Sequence, residues 1–398
     1  MPYIIGKEEA DAAREILETG CLDRYINSEN GASVQFERSF SRKMDSKYAL
    51  VVSSGTGALI CALKGLGVGP GDEVIIPAFT YIATALAVFA VRAVPIIAEI
   101  DSSLTISPID IAKKVTSKTK AIIPVHMHGL PCSMNEIMDL AKQHNLLVLE
   151  DVAQACGGSY QGKKLGSIGD SGAFSFNHYK IITCGEGGAL ITKNQNVYQR
   201  ALLQHHGGCI FEPSLSDFDI DFFAGWNFRI SEILSAILQV QLSRLDNILS
   251  RLRQEKKEFI TKLSNKLDKF NFAPIHDEEG DCGRVLFLTF YSSKDAQIFI
   301  KHAQQNKIKV WSADTKGHVY VDWQPIFSSN KRISKQEGSS SIQNISSLTS
   351  DVCPITISLL RRTVGISMRV DRSKIELDKL IENIIRILER PNNETFTF

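Results

Sequence analysis

Short apolar runs recur along the first half of the chain, each closing on a polar or glycine-bearing turn before a stretch with helical spacing. Tyr48 to Val52, Glu73 to Ile76, Val94 to Glu99, Ala121 to Val125 and Leu146 to Glu150 are the runs. Ala58 to Leu66, Ala83 to Val91, Ile109 to Val115 and Met134 to His144 are the helical stretches between them. Apolar runs alternating with helices predict an α/β fold with a parallel or mostly parallel sheet, covered on both faces. Upstream, Lys7 to Thr19 reads as a helix with Ala12, Ile16 and Leu17 inward and Gly20 as its stop. Gly31 to Met44 reads as another, with Val34, Phe36 and Phe40 inward.

From Ile230 the apolar spacing stays helical to about Leu267 without Gly or Pro, which predicts a long, kinked connector between domains. Beyond it the composition shifts. Val285 to Tyr291 and Ile308 to Val310 are strand-like, Asp295 to Gln305 helical, and Leu360 to Ser367 strand-like again. Ser373-Lys374-Ile375-Glu376 is a capping box for a final helix. The predicted organisation is a large domain over 1–246 and a small α+β domain over 247–398, with 328–350 as a Ser-rich surface insertion.

One stretch concentrates chemistry. In Gly172 to Ile191 an aromatic strand leads into a turn carrying Lys180, and a glycine-rich return, Gly185 to Gly188, precedes another strand. Most lysines on such loops are merely solvated. Here, however, the run from Leu146 ends in Glu150-Asp151, and a carboxylate at the C-terminal end of a parallel strand sits at a ligand crevice. A lysine that forms a Schiff base and an acid that holds a pyridinium nitrogen are the two groups pyridoxal 5'-phosphate requires. A phosphate cradle is the third requirement. Ser53 to Leu59 offers one, with Gly55 for close backbone approach and Thr56 for a hydroxyl at a helix N-terminus. By itself that segment reads equally as an ordinary capped turn. His126 and His128 share a face if their strand continues, so a metal is geometrically possible. No third ligand lies nearby, and a structural or substrate-side role for His126 fits better.

GTGAL, PAFTYIATA, EDVAQA, SFNHYK, GEGGA and GWNFRISE follow one another in this order through the first two-thirds of the chain. Together they resemble the signature blocks of the DegT/StrS-type sugar aminotransferases. The resemblance implies the type I fold of pyridoxal-phosphate-dependent transferases, with a seven-stranded sheet in the large domain. It places Tyr81 over the pyridine ring, Asp151 on its nitrogen and Gln154 on its O3′. Alone, Tyr81 would read as a core tyrosine and Gln154 as a helix cap. It sets Ser175, Gly55 and Thr56 on the phosphate, joined by Asn227 from a neighbouring subunit, and hence implies a homodimer with shared sites. Dehydratase relatives carry a histidine at the position of Lys180, so the lysine disfavours that route. Arg362 or Arg229 would anchor a substrate carboxylate, or serve in an ion pair. The segment from Asp217 to Phe223 would cover the substrate mouth. HVYVDWQPIF departs from the usual ending and resembles the aminotransferases that act on the eight-carbon sugar acid of some lipopolysaccharide cores.

Net charge is +1, which gives no electrostatic case for nucleic acid or an anionic membrane. The eight cysteines form no CxxC pair and read as reduced thiols of a cytoplasmic protein. The N-terminus does not read as a signal peptide, and no apolar run is long enough to span a membrane. The expected function is transfer of an amino group from L-glutamate to a keto sugar, nucleotide-linked or a keto-octulosonate, for lipopolysaccharide, surface-glycan or secondary-metabolite amino sugars. The rivals are a sugar dehydratase or lyase on the same cofactor, and a non-catalytic regulatory protein that keeps the fold.

Overall fold

The structure, a computed structural model, describes residues 4–25, 30–208, 220–315, 317–323 and 351–389. The chain opens with α1 (Lys7–Thr19), α2 (Ala32–Lys43), β1 (Tyr48–Val52), α3 (Gly55–Gly65), β2 (Glu73–Pro77), α4 (Ala83–Ala90) and β3 (Val94–Ala98). It continues through α5 (Pro108–Lys114), β4 (Thr119–Ile122), α6 (Met134–His144), β5 (Leu147–Asp151) and a small hairpin of β6 (Ser159–Tyr160) and β7 (Lys163–Lys164). β8 (Ser171–Ser175), β9 (Gly188–Thr192), α7 (Gln195–His205) and the long α8 (Glu232–Leu263) follow. The last part holds β10 (Phe270–Phe272), β11 (Val285–Phe290), α9 (Ser293–Gln305), β12 (Trp311–Ser312), α10 (Pro354–Arg361), β13 (Thr363–Ser367) and α11 (Lys374–Leu388).

Seven strands form one sheet in the order β1-β9-β8-β5-β4-β2-β3, and β9 alone runs against the others. The strands are buried on both faces, which is why they read as continuous apolar runs. Alternation sorts their side chains. Val51, Ile75, Val148 and Phe174 face a core that includes α2 and α8, while Leu50, Val74, Leu149 and Ala173 face α3, α4 and α7. Phe40 and Phe174 meet edge to face with ring centroids 4.9 Å apart.

A smaller antiparallel sheet, β10-β11-β13-β12, stands beside it, with α9 packed against it and α11 against α9 and α8. The capping box is in place: Ser373 accepts from the Glu376 N–H and Glu376 accepts from the Ser373 N–H. Helix α8 links the two sheets without a break in its helical backbone, so the expected kink is not there.

Several local expectations change. Leu17 is 59% exposed, and the buried member of α1 is Glu9. Its carboxylate accepts from Gln241 Nε2 and pairs with Arg244 of α8, so α1 docks through polar contacts rather than an apolar stripe. The strand expected at Ile308 to Val310 forms at Trp311–Ser312, and α10 precedes the last strand. The 328–350 insertion lies outside the described residues, as do residues 217–219 of the expected substrate loop. Of the rest of that loop, Phe223 packs away from this chain's own site. Phe223 lies under Lys64 and Arg200, and Lys64 belongs to the last turn of α3, the end away from the site.

Candidate active site

Every parallel strand but β3 delivers a polar group to the same edge of the sheet. After β1 come Ser54 to Thr56, and after β2 come Tyr81 and Thr84. The turn after β4 carries His128, the end of β5 holds Asp151, with Gln154 beyond it, and β8 ends in Ser175 before the turn to Lys180. The carboxyl edge of such a sheet, with strand order reversing across it, is where α/β folds bind ligands.

The turn holding Lys180 is closed by its own backbone. Phe176 N–H donates to Gly187 O at 2.8 Å, His178 N–H to Gly185 O at 3.0 Å, and Lys180 N–H to Asn177 O at 2.9 Å. Gly188 cannot carry a side chain: a Cβ there would stand 2.4 Å from Ser54 O. The glycine return therefore presses the lysine turn against the start of α3. Burial, and after it the charge of Arg284, pushes the Lys180 pKa down to about 8, against the opposing pull of Asp151 and Glu186.

Asp151 is 5% exposed. One oxygen accepts from Thr84 Oγ1 at 2.9 Å and the other from Ala153 N–H at 3.1 Å. Burial pushes its pKa up; those two hydrogen bonds, and the charge of Lys180, work against this. Its neighbour Glu150 points to the opposite face by strand alternation. There it accepts from the N–H groups of Gly166, Ile168 and Gly169, each at 2.8 Å, and meets His126 Nε2 at 3.1 Å.

His126 is therefore structural, and the substrate-side placement is corrected. The ring is fully buried, and Cys132 N–H donates to its Nδ1 at 3.1 Å, so Nε2 carries the proton given to Glu150. The strand does not continue to His128 either. β4 ends at Ile122, and His128 takes a left-handed φ of 53° in a short turn, which sends the two histidines to different surroundings. His128 is the one beside the lysine. Its N–H donates to Gln154 Oε1 at 3.1 Å, which orients the Gln154 amide and leaves its NH2 as the free donor end.

The cradle forms where α3 meets β8. Ser54 caps α3 by accepting from Gly57 N–H at 3.0 Å, and the N–H groups of Gly55 and Thr56 have no intrahelical partner by helix geometry. A Cβ on Gly55 would stand 2.6 Å from Ser175 Cβ, so only glycine lets the helix start and the Ser175 hydroxyl share one patch. Tyr81 opens α4 half-exposed, its ring 5.6 Å from that of His318.

Three other expected residues lie elsewhere. Asn227 is exposed and bridges to His206, and its Oδ1 accepts from Arg229 N–H at 3.1 Å. Arg229 is tied to His206 Nδ1 at 2.7 Å and Asp23 at 4.0 Å. Arg362 donates to Phe290 O at 3.4 Å and lines a groove with Tyr291, Ser292 and Pro354. That is the end of β11 away from the lysine, roughly 20 Å along the strand from its first residue. Arg362 does not reach the site.

Two residues had gone unnoticed in the sequence. Thr84 stands three residues after Tyr81, on the same helical face, a spacing that could have revealed it. Arg284 comes from the small sheet and has no local signature.

A buried acid, a half-buried amine of lowered pKa, an aromatic face and a helix start with a serine hydroxyl fit pyridoxal phosphate. The fold and site are those of a pyridoxal-phosphate-dependent transferase. The profile of the DegT/DnrJ/EryC1/StrS aminotransferase family matches residues 3–353, and the chain belongs to that family. It is 41% identical over 299 residues to a GDP-perosamine synthase of Escherichia coli O157:H7, covering 74% of this chain and 78% of that one. It is 38% identical over 325 residues to a dTDP-3-amino-3,6-dideoxy-alpha-D-galactopyranose transaminase of Aneurinibacillus thermoaerophilus, covering 80% and 85%. An aminotransferase from Psychrobacter cryohalolentis superposes with a TM-score of 0.83 at 25% identity, covering 97% of this chain and 98% of that one. DesV of S. venezuelae, solved with a ketimine intermediate, gives 0.81 at 26% identity, covering 97% and 95%. The chain is a pyridoxal-phosphate-dependent sugar aminotransferase.

Proposed function

We propose that this enzyme moves an amino group from L-glutamate to the carbonyl of a nucleotide-linked keto sugar, in the cytoplasm, for surface-glycan synthesis. The observation that carries the reading is the lysine amine of lowered pKa and the buried carboxylate held at one sheet edge, each by its own hydrogen-bonded turn. The names of relatives acting on GDP- and dTDP-sugars support the acceptor class. Reduced thiols, with the seven described cysteines all free, accord with the compartment.

Bound pyridoxal phosphate supplies an aldehyde for the substrate nitrogen and a ring that withdraws electrons from the adjacent carbon. Asp151 would hold the ring nitrogen, Tyr81 the ring face, Gln154 the ring hydroxyl, and Gly55, Thr56 and Ser175 the phosphate. Lys180, once its amine is displaced, takes the proton from the donor's α-carbon and later gives one to the sugar carbon that receives nitrogen. Thr84 fixes the carboxylate of Asp151 so that no reorganisation is needed as charge develops. Asn227, exposed beside Trp226, completes the phosphate site of a second copy in a homodimer.

L-Glutamate added to the loaded enzyme should release 2-oxoglutarate in one equivalent and bleach the cofactor's visible absorption. The reduced enzyme should then aminate a GDP- or dTDP-linked keto sugar. Release of 2-oxoglutarate with no turnover of any nucleotide-linked keto sugar rejects the acceptor assignment.

A further inference from the structure

We propose that Arg284 is the carboxylate receptor of this site, taking the acid group of the substrate that meets Lys180. The assignment rests on the aminotransferase reading and adds the residue that selects an amino acid over a simple amine. Arg284 stands just before β11, the strand that carries the small sheet toward the large one. Cys282 N–H donates to Gly129 O at 3.1 Å and Met368 N–H to Arg284 O at 2.9 Å, which fixes the backbone on both sides. A Cβ on Gly129 would lie 3.7 Å from Arg284 Cβ, so the side chain starts against the His128 turn. Its Nη2 donates to Tyr179 O at 2.9 Å, one residue before the reactive lysine.

That contact uses one of five guanidinium N–H groups. Among the described residues no acid pairs with the rest; of the charges acting on it, only the Cys282 thiol favours the cation. Its own charge bears on both Lys180 and His128. A half-buried guanidinium with no acid beside it among the described residues is free to take an anion, and its planar fork matches a carboxylate bidentately. The surroundings make the pairing strong. The His128 ring lies 4.9 Å from Trp311 and 5.5 Å from Phe287, a half-buried aromatic wall that reduces screening. An amino acid carries its α-carboxylate one bond from the carbon that bears the reacting nitrogen, so a cation this close to Lys180 suits that group. A side-chain carboxylate of the donor, or the acid of a sugar-acid acceptor, has the same chemistry.

The test uses loaded wild-type enzyme with Arg284→Ala and Arg284→Lys, each checked for melting temperature and cofactor content. Arg284→Ala should slow the L-glutamate half-reaction about 100-fold, while butylamine, which has no carboxylate, changes less than about threefold. Arg284→Lys, with the charge but not the fork, should recover part of the loss. Calorimetric binding of glutarate should weaken at least about tenfold in the alanine variant. Lost discrimination between L-glutamate and its α-amide assigns the α-carboxylate, and between L-glutamate and L-glutamine the side-chain one. Unchanged glutarate affinity and glutamate rate overturn the proposal, as does an equal loss on glutamate and butylamine. If the wild type reacts with no amino donor, the aminotransfer reading falls, and glutarate binding still judges Arg284 by itself.

Discussion

The edge of the seven-stranded sheet and the face of the four-stranded one meet over Lys180, and they contribute different kinds of residue. The large sheet brings groups with fixed backbone partners: Lys180 in a closed turn, Asp151 on Thr84 and Ala153, Ser175 against Gly55. The small sheet and its flanking segments bring Arg284, Trp311 and His318 to the same place from the other sheet. Residues 317–320 even pair with the Tyr81 loop, through Thr80 N–H to His318 O at 2.9 Å and Tyr320 N–H to Ala78 O at 3.1 Å. On the proposed reading, chemistry shared by any amine substrate belongs to the sheet edge, and choice of substrate to the part assembled from distant sequence.

The sharpest way to break that division is Lys180→Ala. It should abolish turnover by at least about 10⁴-fold and remove the borohydride-trappable link to the cofactor in mass spectrometry, while glutarate binding through the small-sheet side persists. Loss of glutarate binding as well would mean that the two regions do not act separately. Asp151→Asn comes next. It removes the charge that holds a ring proton and should cost about 10² to 10³-fold in the half-reaction with the melting temperature nearly kept. Glu150→Gln, one residue away, should do the reverse. It turns one of the two acceptor oxygens into an NH2 that faces two donors, either Gly166 N–H with His126 or the Ile168 and Gly169 N–H groups, so it should destabilise by about 3 kcal/mol, read as a fall in melting temperature, with the rate per folded molecule little changed.

That pair also marks how far the sequence could be read. Strands buried on both faces leave unmistakable apolar runs, and Lys180, Asp151 and Gly55 sit at their ends, where local order alone predicts a ligand edge. The elements from Tyr48 to His144 follow the sequence reading to within a few residues for the same reason. Which of two adjacent acids faces the ligand depends on register within the sheet. Which histidine does so depends on β4 ending at Ile122 and on one left-handed residue. Arg284 and Arg362 look alike in the sequence, each just ahead of a strand, and those two strands pair with each other. Only the antiparallel register of β11 with β13 puts Arg284 at the site and Arg362 beyond Phe290. Leu17 misled because helix spacing signals an apolar stripe whether or not anything covers it.

Trp311→Ala sharpens the comparison on a smaller scale. It removes a ring 4.9 Å from His128 and 5.5 Å from Phe287, where the small sheet meets the His128 turn. The KM for the keto-sugar acceptor should rise about tenfold while cofactor retention and the trappable lysine link stay intact. An acceptor KM left unchanged would move the sugar pocket elsewhere.

The smallest effect is the pH profile of cofactor capture, and it tests the junction itself. The neutral amine is the nucleophile, so the rate at which Lys180 captures added pyridoxal phosphate follows the unprotonated fraction. With a pKa near 8, set first by burial and then by Arg284, that fraction rises about fivefold from pH 7 to 8 and levels off above 9. An ordinary lysine would keep gaining tenfold per pH unit toward its usual 10.5. Arg284→Ala removes one of the two causes, so its midpoint should move up while the plateau rate stays. Because the depressed pKa belongs to the folded state, the unfolded chain binds the extra proton between pH 8 and 10.5, and Lys180 adds stability as pH rises through that window. A midpoint that Arg284→Ala leaves in place would mean that the large sheet sets the reactivity of its lysine without help from the small one.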